Sequence, residues 1–183
     1  MKVYDKVYKS CYLVLVIMLK KIYNHIRVKG KPMTVHTEMI YDDKVWQIIQ
    51  EKVKNKEIHT WYVITPVNSD IFYSHFRIPL SLDEYEERLI ERYKWLIQKK
   101  ENVQLHIHLS KDLRYFPYWA QEMIIKKSIE WFEQHLQIPV KEIVFGWWSY
   151  NKETEQILES LDIKLIKRFE YNDCHDYDWI NLK

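Results

Sequence analysis

Residues 103–110, VQLHIHLS, indicate the fold more clearly than any other stretch. Apolar residues alternate here with Gln and His, and this period of two is typical of a strand, which we predict from Val103 to Leu109. The same period places His106 and His108 on one face of the strand. Amphipathic helical segments precede and follow it. A strand between two helices is the unit from which parallel α/β sheets are built.

Two further strand–helix units are predicted before this stretch. Strands are expected at Met33 to Glu38 and at His59 to Thr65, each followed by a segment with helical periodicity. Asp42 suits the N-cap of the first helix. Ser81, with Glu84 three residues later, forms a capping box that predicts the start of the second helix.

The remaining chain continues the alternation. A helix is predicted from Trp119 to Leu136, a strand in KEIVFGWW (141–148), a short helix in NKETEQILESLD (151–162) and a fifth strand in IKLIKRF (163–169). No linker or internal repeat interrupts this order. We therefore predict one α/β domain, with mostly parallel strands in a sheet or barrel and the helices outside.

Composition narrows the possible functions. The 183 residues are enough for one domain, and the net charge of +2, from 28 basic and 26 acidic residues, argues against a nucleic-acid partner. The only glycines, Gly30 and Gly146, cannot supply a glycine-rich phosphate-binding or dinucleotide-binding loop. Two cysteines, Cys11 and Cys174, cannot form a cysteine-based zinc finger or a disulfide framework.

The amino-terminal segment, residues 1–30, is predicted to be an apolar element that packs on the main domain, residues 31–183. Its apolar run from Cys11 to Leu19 is only nine residues long, well below the roughly 20 that span a bilayer. No membrane-spanning segment is therefore expected, and we favour a cytoplasmic location. Association of residues 10–27 with a membrane surface is the alternative.

The carboxyl ends of the predicted strands carry two pairs of ligand-type side chains. His36 and Glu38 form one pair and His106 and His108 the other, each at a spacing that points both side chains to one face. Sites in parallel α/β folds gather at these strand ends. Three imidazoles and a carboxylate are donors that suit Zn²⁺, Co²⁺ or Fe²⁺. The alternative is that these histidines are structural.

Aromatic residues also cluster at predicted strand ends: Trp147, Trp148, Tyr150 and Trp179. Their flat faces suit the apolar C–H faces of a sugar ring, although such residues also fill the rim of a small barrel. Trp147 and Trp148 are adjacent, and on a strand they would face opposite ways. At most one of them is then expected to line a pocket.

Taken in order, these motifs resemble those of the polysaccharide deacetylase superfamily, the NodB-like enzymes of the carbohydrate esterase family 4 type. The resemblance extends from Pro32 to Trp179. It rests on five segments in the same order as in the family. They are an acidic first motif, a second strand, the His-x-His motif found in one branch of the family, a long strand–helix stretch and an Asp-Trp motif. The matching segments are TVHTEMIYDD (34–43), HTWYVITP (59–66), NVQLHIHLS (102–110), VFGWWSYNKETEQILESLDIKLIK (144–167) and HDYDW (175–179).

The resemblance implies a deformed NodB-type (β/α) barrel, here incomplete, and a metal-dependent hydrolase that removes an N-acetyl group from an amino sugar or polysaccharide. Such enzymes bind one divalent ion, here expected to be Zn²⁺ or Co²⁺, through an acidic residue and two histidines. Carried onto this chain, these ligands are Glu38, His106 and His108. His36 would be the base or a fourth ligand, and His175 or Asp176 would be a general acid or would orient a ligand histidine.

Several positions depart from the family pattern. His36 and Thr37 stand where the family has the aspartate that acts as base, and Gly146 replaces the arginine that orients it. Ser110 stands where a second histidine is expected at four residues from His106, whereas four residues from His108 lies Asp112. A catalytically altered barrel that binds carbohydrate or serves as a scaffold is therefore the alternative function. The substrate partner is a carbohydrate or another amide, and the sequence leaves the oligomeric state open.

Overall fold

The computed structural model describes residues 33–55, 59–68, 78–168 and 173–175, which belong to a compact unit that begins at Met33. The amino-terminal segment and its predicted packing, as well as Asp176 and Trp179, lie outside the described residues. Within the described ranges, no helix has the length and apolar character needed to cross a bilayer.

Strands and helices alternate as predicted. The described residues form six strands: β1 (Met33–Thr37), β2 (His59–Val63), β3 (Asn102–Ile107), β4 (Glu142–Phe145), β5 (Lys164–Leu165) and β6 (Asp173–His175). Four α-helices connect the first five strands: α1 (Asp43–Lys54), α2 (Leu82–Gln98), α3 (Tyr118–Leu136) and α4 (Lys152–Ser160). Asp42 and Ser81 cap α1 and α2, which confirms both predicted helix starts.

All six strands are parallel and lie in the order β5-β4-β3-β2-β1-β6. The predicted α/β class with parallel strands is thereby confirmed. The sheet formed by these residues is open, with β5 and β6 at its edges, so the barrel is not closed. Successive neighbours from β1 to β5 are each joined through a helix, and right-handed crossovers of this kind place the helices on one face of the sheet.

The face of the sheet that packs against the helices is apolar. Val35, Trp61, Leu105 and Ile143 point to this side, and they share one buried cluster with residues of all four helices. Trp61 is fully buried, and its indole N–H donates to Glu101 at 2.8 Å. This core holds the strands in register and therefore fixes the positions of the residues on the opposite face.

The opposite face carries the polar side chains. His36 pairs in register with Tyr62 on β2 and with His175 on β6, while His106 pairs with Val144 on β4. Because side chains alternate along a strand, these residues share a face of the sheet. Tyr62, Val144 and Ile166 form a second, smaller apolar cluster there. The predicted ligand residues thus lie on a face distinct from the main core.

The last two strands differ from the prediction. The fifth strand was expected over residues 163–169, but β5 has two residues because only Glu142 and Ile143 of β4 pair with it. β6 was not predicted at all. Its three residues pair with β1, a contact between distant parts of the chain that local sequence preference does not encode.

Candidate metal site

The two predicted ligand pairs converge at the carboxyl ends of β1 and β3. Glu38 follows β1 directly, and its Oε1 lies 3.1 Å from Nε2 of His106 and 3.4 Å from Nδ1 of His108. All three residues are buried. The strand spacing of two residues aims both imidazoles at one carboxylate, as expected from the sequence. Glu38, His106 and His108 form a group whose ligand atoms lie within 4.8 Å of one another.

The hydrogen bonds of His106 determine what its ring can do. Nδ1 lies 3.1 Å from the carbonyl oxygen of Val144, which can only accept, so Nδ1 carries the proton. In a neutral ring, Nε2 then has a lone pair, and it faces the Glu38 carboxylate at 3.1 Å. Two acceptors at that distance repel each other unless a proton or a cation lies between them. A backbone carbonyl on the second nitrogen is also the usual partner of a metal-bound histidine.

Two more imidazoles lie near the same carboxylate, His36 on β1 itself and His175 on the neighbouring strand β6. Nδ1 of His175 lies 3.5 Å from Glu38 Oε1, and its side chain is 31% exposed. The ring centroid of His36 lies 4.6 Å from that of His106 and 4.9 Å from that of His175. His36, Glu38 and His175 form a second group of donors within 4.8 Å of one another.

Burial and mutual proximity shift the pKa values of this cluster. Burial, and after it the neighbouring His106, lower the pKa of His36 to about 2. Burial likewise lowers the pKa of His108. Burial alone would raise the pKa of the Glu38 carboxyl, but hydrogen bonds with His106, His108 and His175 hold it well below its usual value. The shifts of His36, His108 and Glu38 favour the unprotonated forms that bind metal ions.

The donor set fits a divalent transition metal. Imidazole nitrogen and carboxylate oxygen are common ligands of Zn²⁺, and two histidines with one carboxylate leave a coordination position open for water or substrate. Buried Nε2 of His108 has no hydrogen-bond partner among the described residues, so it is available as a donor. Glu38, His106 and His108 are therefore the residues that could hold the ion.

Gly146 is a residue of the site whose role the sequence did not reveal. A Cβ atom placed there would lie 2.1 Å from Cδ2 and 2.3 Å from Cγ of His108. Only a residue without a side chain therefore leaves room for the ring. The sequence showed merely that Gly146 departs from the family arginine, and its position directly after β4 was the one available signal.

The expected geometry of the two tryptophans is wrong, because neither lies on a strand. β4 ends at Phe145, and Trp147 and Trp148 have left-handed backbone angles, with φ of 52° and 55°. Each ring consequently reaches an imidazole, Trp147 at 4.7 Å from His108 and Trp148 at 6.4 Å from His36. Non-glycine residues with positive φ are uncommon and cluster at functional sites.

The remaining candidate residues from the sequence contact other parts of the protein. Tyr150 packs against the main core, with its ring 6.5 Å from Phe145. The Thr37 hydroxyl donates to the carbonyl of Tyr62, so its contact is with the backbone. Asp112 caps a short turn and accepts hydrogen bonds from Arg114 and Ser149. These hydrogen bonds, of which the one from Arg114 has the larger effect, hold the pKa of the Asp112 carboxyl below its usual value.

Arg92, on α2, fixes the loop that follows Glu38. Arg92 is buried, donates to the backbone carbonyls of Ile40 and Asp42, and pairs with the carboxylate of Asp43. Asp42 and Asp43 therefore start α1 and anchor its loop. These contacts hold the chain in place immediately after the carboxylate.

Comparisons with known proteins support the fold. No protein-family profile matches the sequence, and no curated protein matches it. Solved structures do match. A deacetylase from Streptococcus pyogenes in complex with acetate is 20% identical, with a TM-score of 0.54 over 73% of this chain and 53% of its own.

Two further structures have the same TM-score of 0.54. The chitin deacetylase of Colletotrichum lindemuthianum is 11% identical over 74% of this chain and 54% of its own. A carbohydrate esterase family 4 pseudoenzyme from Bacillus anthracis is 12% identical over 75% and 43%. The matched part of this chain thus spans about half the length of these proteins. The chain has the NodB-like fold of the carbohydrate esterase family 4 polysaccharide deacetylases.

Proposed function

We propose that this protein is a metal-dependent hydrolase that removes an acyl group, N-acetyl in the simplest case, from an amino sugar or polysaccharide. The observation that carries the proposal is the close contact between Nε2 of His106 and Oε1 of Glu38, 3.1 Å apart in a buried site. With His108 beside them, they suit Zn²⁺ or Co²⁺.

A divalent ion at this site supplies a Lewis acid that activates water and polarises the acyl carbonyl. The protein residues hold the donors in place. Val144 fixes the tautomer of His106 through its carbonyl, and Gly146 leaves the space that His108 fills. In the reaction, the water oxygen bonds to the acyl carbon, the C–N bond breaks, and the amine leaves with a proton.

Proton transfer is assigned to His175. Its side chain is partly exposed and its Nδ1 lies 3.5 Å from Glu38, so it can exchange protons with solvent and with a substrate at the mouth of the site. An efficient acid or base has a pKa near the working pH. The pKa of about 2 makes His36 a weak base and favours its alternative role as a ligand. Asp176 follows His175 in the chain and remains a candidate for the general acid.

The sugar would lie against the aromatic residues above the imidazoles. The Trp147 side chain is 56% exposed and stands edge-on to His108, while Trp148 lies beside His36. Exposed aromatic rings at a polar site bind the apolar faces of sugars while polar groups orient the reacting bond. Trp147 is the first candidate for this contact, and Trp148, Tyr150 and Trp179 are the others.

A catalytically altered carbohydrate-binding module is the second candidate function. It is favoured by His36 and Gly146, which replace the family base and its orienting arginine. Exposed Tyr115, Trp119 and Trp147 would bind sugar without hydrolysis.

Acetate release from N-acetylglucosamine oligosaccharides tests the proposal. Zinc-loaded and cobalt-loaded protein should release acetate, and His106→Ala should abolish both release and bound metal. His135→Ala is the matched control, because His135 lies on α3 and contacts Glu86. Sugar binding without acetate release from metal-loaded protein would support the binding module instead, and hydrolysis that persists in His106→Ala would contradict the assigned site.

A further inference from the structure

We propose that His36, Glu38 and His175 form a second divalent-cation site, so that the Glu38 carboxylate is shared between two ions. The inference rests on the proposed function for the first ion, which Glu38, His106 and His108 hold. The geometry that supports it is the arrangement of five donors in two groups of three, which have only Glu38 in common.

The second group is built by direct strand pairing. His36 on β1 and His175 on β6 are partners in the parallel register, and their ring planes meet at 85° with centroids 4.9 Å apart. Glu38 lies two residues beyond His36 and shares its face of the sheet. The donor atoms of the three residues lie within 4.8 Å of one another. Ligands on one tetrahedral zinc ion lie about 3.4 Å apart at bond lengths near 2.1 Å, so the three side chains must approach one another to hold an ion.

The donors form two groups, and Glu38 is the only residue that belongs to both. In the sheet order, β6 lies on one side of β1, whereas β3, which carries His106 and is followed by His108, lies two strands away on the other. Metal pairs bridged by protein oxygens are typically about 3.5–4 Å apart. Two ions at that separation match two donor groups that share one carboxylate.

Charge and access predict the order of binding. The five donors include one carboxylate, and a second ion must share that charge while it is repelled by the first. The His175 side chain is 31% exposed, whereas Glu38 and His36 are almost fully buried. The second ion therefore enters from the His175 side and binds more weakly than the first.

Occupancy of this site has a chemical consequence. An imidazole nitrogen that binds a metal cannot accept a proton. If His175 carries the proton in hydrolysis, the second ion removes that function. Acetate release should therefore rise with the first equivalent of metal and fall as the second binds.

Metal stoichiometry is the direct test. Apo-protein dialysed against Zn²⁺ should bind two equivalents, and His175→Gln should bind one. His135→Ala, the matched control, should still bind two. With Co²⁺, the electron paramagnetic resonance signal per cobalt should decrease at the second equivalent, because ions that share a carboxylate couple magnetically.

The result that overturns the second site is one equivalent in the wild type, or two equivalents that remain in both His175→Gln and His36→Gln with unchanged circular dichroism. Failure of the second site can be distinguished from failure of the proposed function. One equivalent with acetate release contradicts the second site and retains the hydrolase. Two equivalents, reduced to one in His175→Gln, without acetate release support the second site and contradict the hydrolase.

Discussion

Gly146→Ala is the most informative substitution in this protein. The added Cβ would lie 2.1 Å from the His108 ring, and ordinary contact begins at 3.4 Å, so ring and backbone must separate by 1.3 Å to reach ordinary contact. Overpacking of this kind typically costs about 1–3 kcal/mol of unfolding free energy. Changes that displace a ligand histidine reduce metal affinity by about 10- to 100-fold. We expect both effects in Gly146→Ala.

The assay combines metal competition with a chelating dye and urea unfolding of the metal-free protein. A double-mutant cycle provides the control, because His108→Ala removes the ring that the new methyl group meets. In that background, Gly146→Ala should change the unfolding free energy by less than about 0.5 kcal/mol. Wild-type metal affinity in Gly146→Ala, or an equal destabilisation in both backgrounds, would refute the assigned contact.

Three further predictions concern the protein without metal. Between pH 6.5 and about 2, unfolded His36 binds a proton that the folded protein excludes, so stability decreases as pH falls, by up to about 1.4 kcal/mol per unit. Urea unfolding at pH 6.5 and 5.5 should show a smaller loss of stability in His36→Gln than in the wild type. An equal loss in both proteins would contradict the low pKa of His36. Arg92→Met removes the donor to the buried Ile40 carbonyl and the partly buried Asp42 carbonyl and should cost about 1–3 kcal/mol. Lys94→Met, an exposed position on the same helix, is the control, and equal costs would argue against this role. Ser81→Ala removes the capping box of α2 and should cost about 0.5–2 kcal/mol in thermal unfolding, and an unchanged midpoint would count against the cap.

Local periodicity and capping chemistry were sufficient to predict most of the fold. The alternation around His106 and His108 predicted β3, and Asp42 and Ser81 marked helix starts that the structure confirms. The convergence of the His36–Glu38 and His106–His108 pairs also followed from the sequence. It depends only on the period of two and on parallel strands, and both are readable without coordinates.

What the sequence could not predict depends on contacts between distant segments. β6 exists because Asp173–His175 pairs with β1, and this pairing places His175 next to His36. The role of Gly146 depends on the position of a ring 38 residues earlier in the chain. The two tryptophans reach the imidazoles through left-handed backbone angles that their residue type does not favour.

A crystal structure of the zinc-loaded protein, with anomalous scattering recorded at the zinc edge, tests the central claim most directly. We expect a peak about 2.0–2.2 Å from ligand atoms of Glu38, His106 and His108. No peak among these three side chains in crystals that contain stoichiometric zinc, or a peak only elsewhere on the protein, would contradict it.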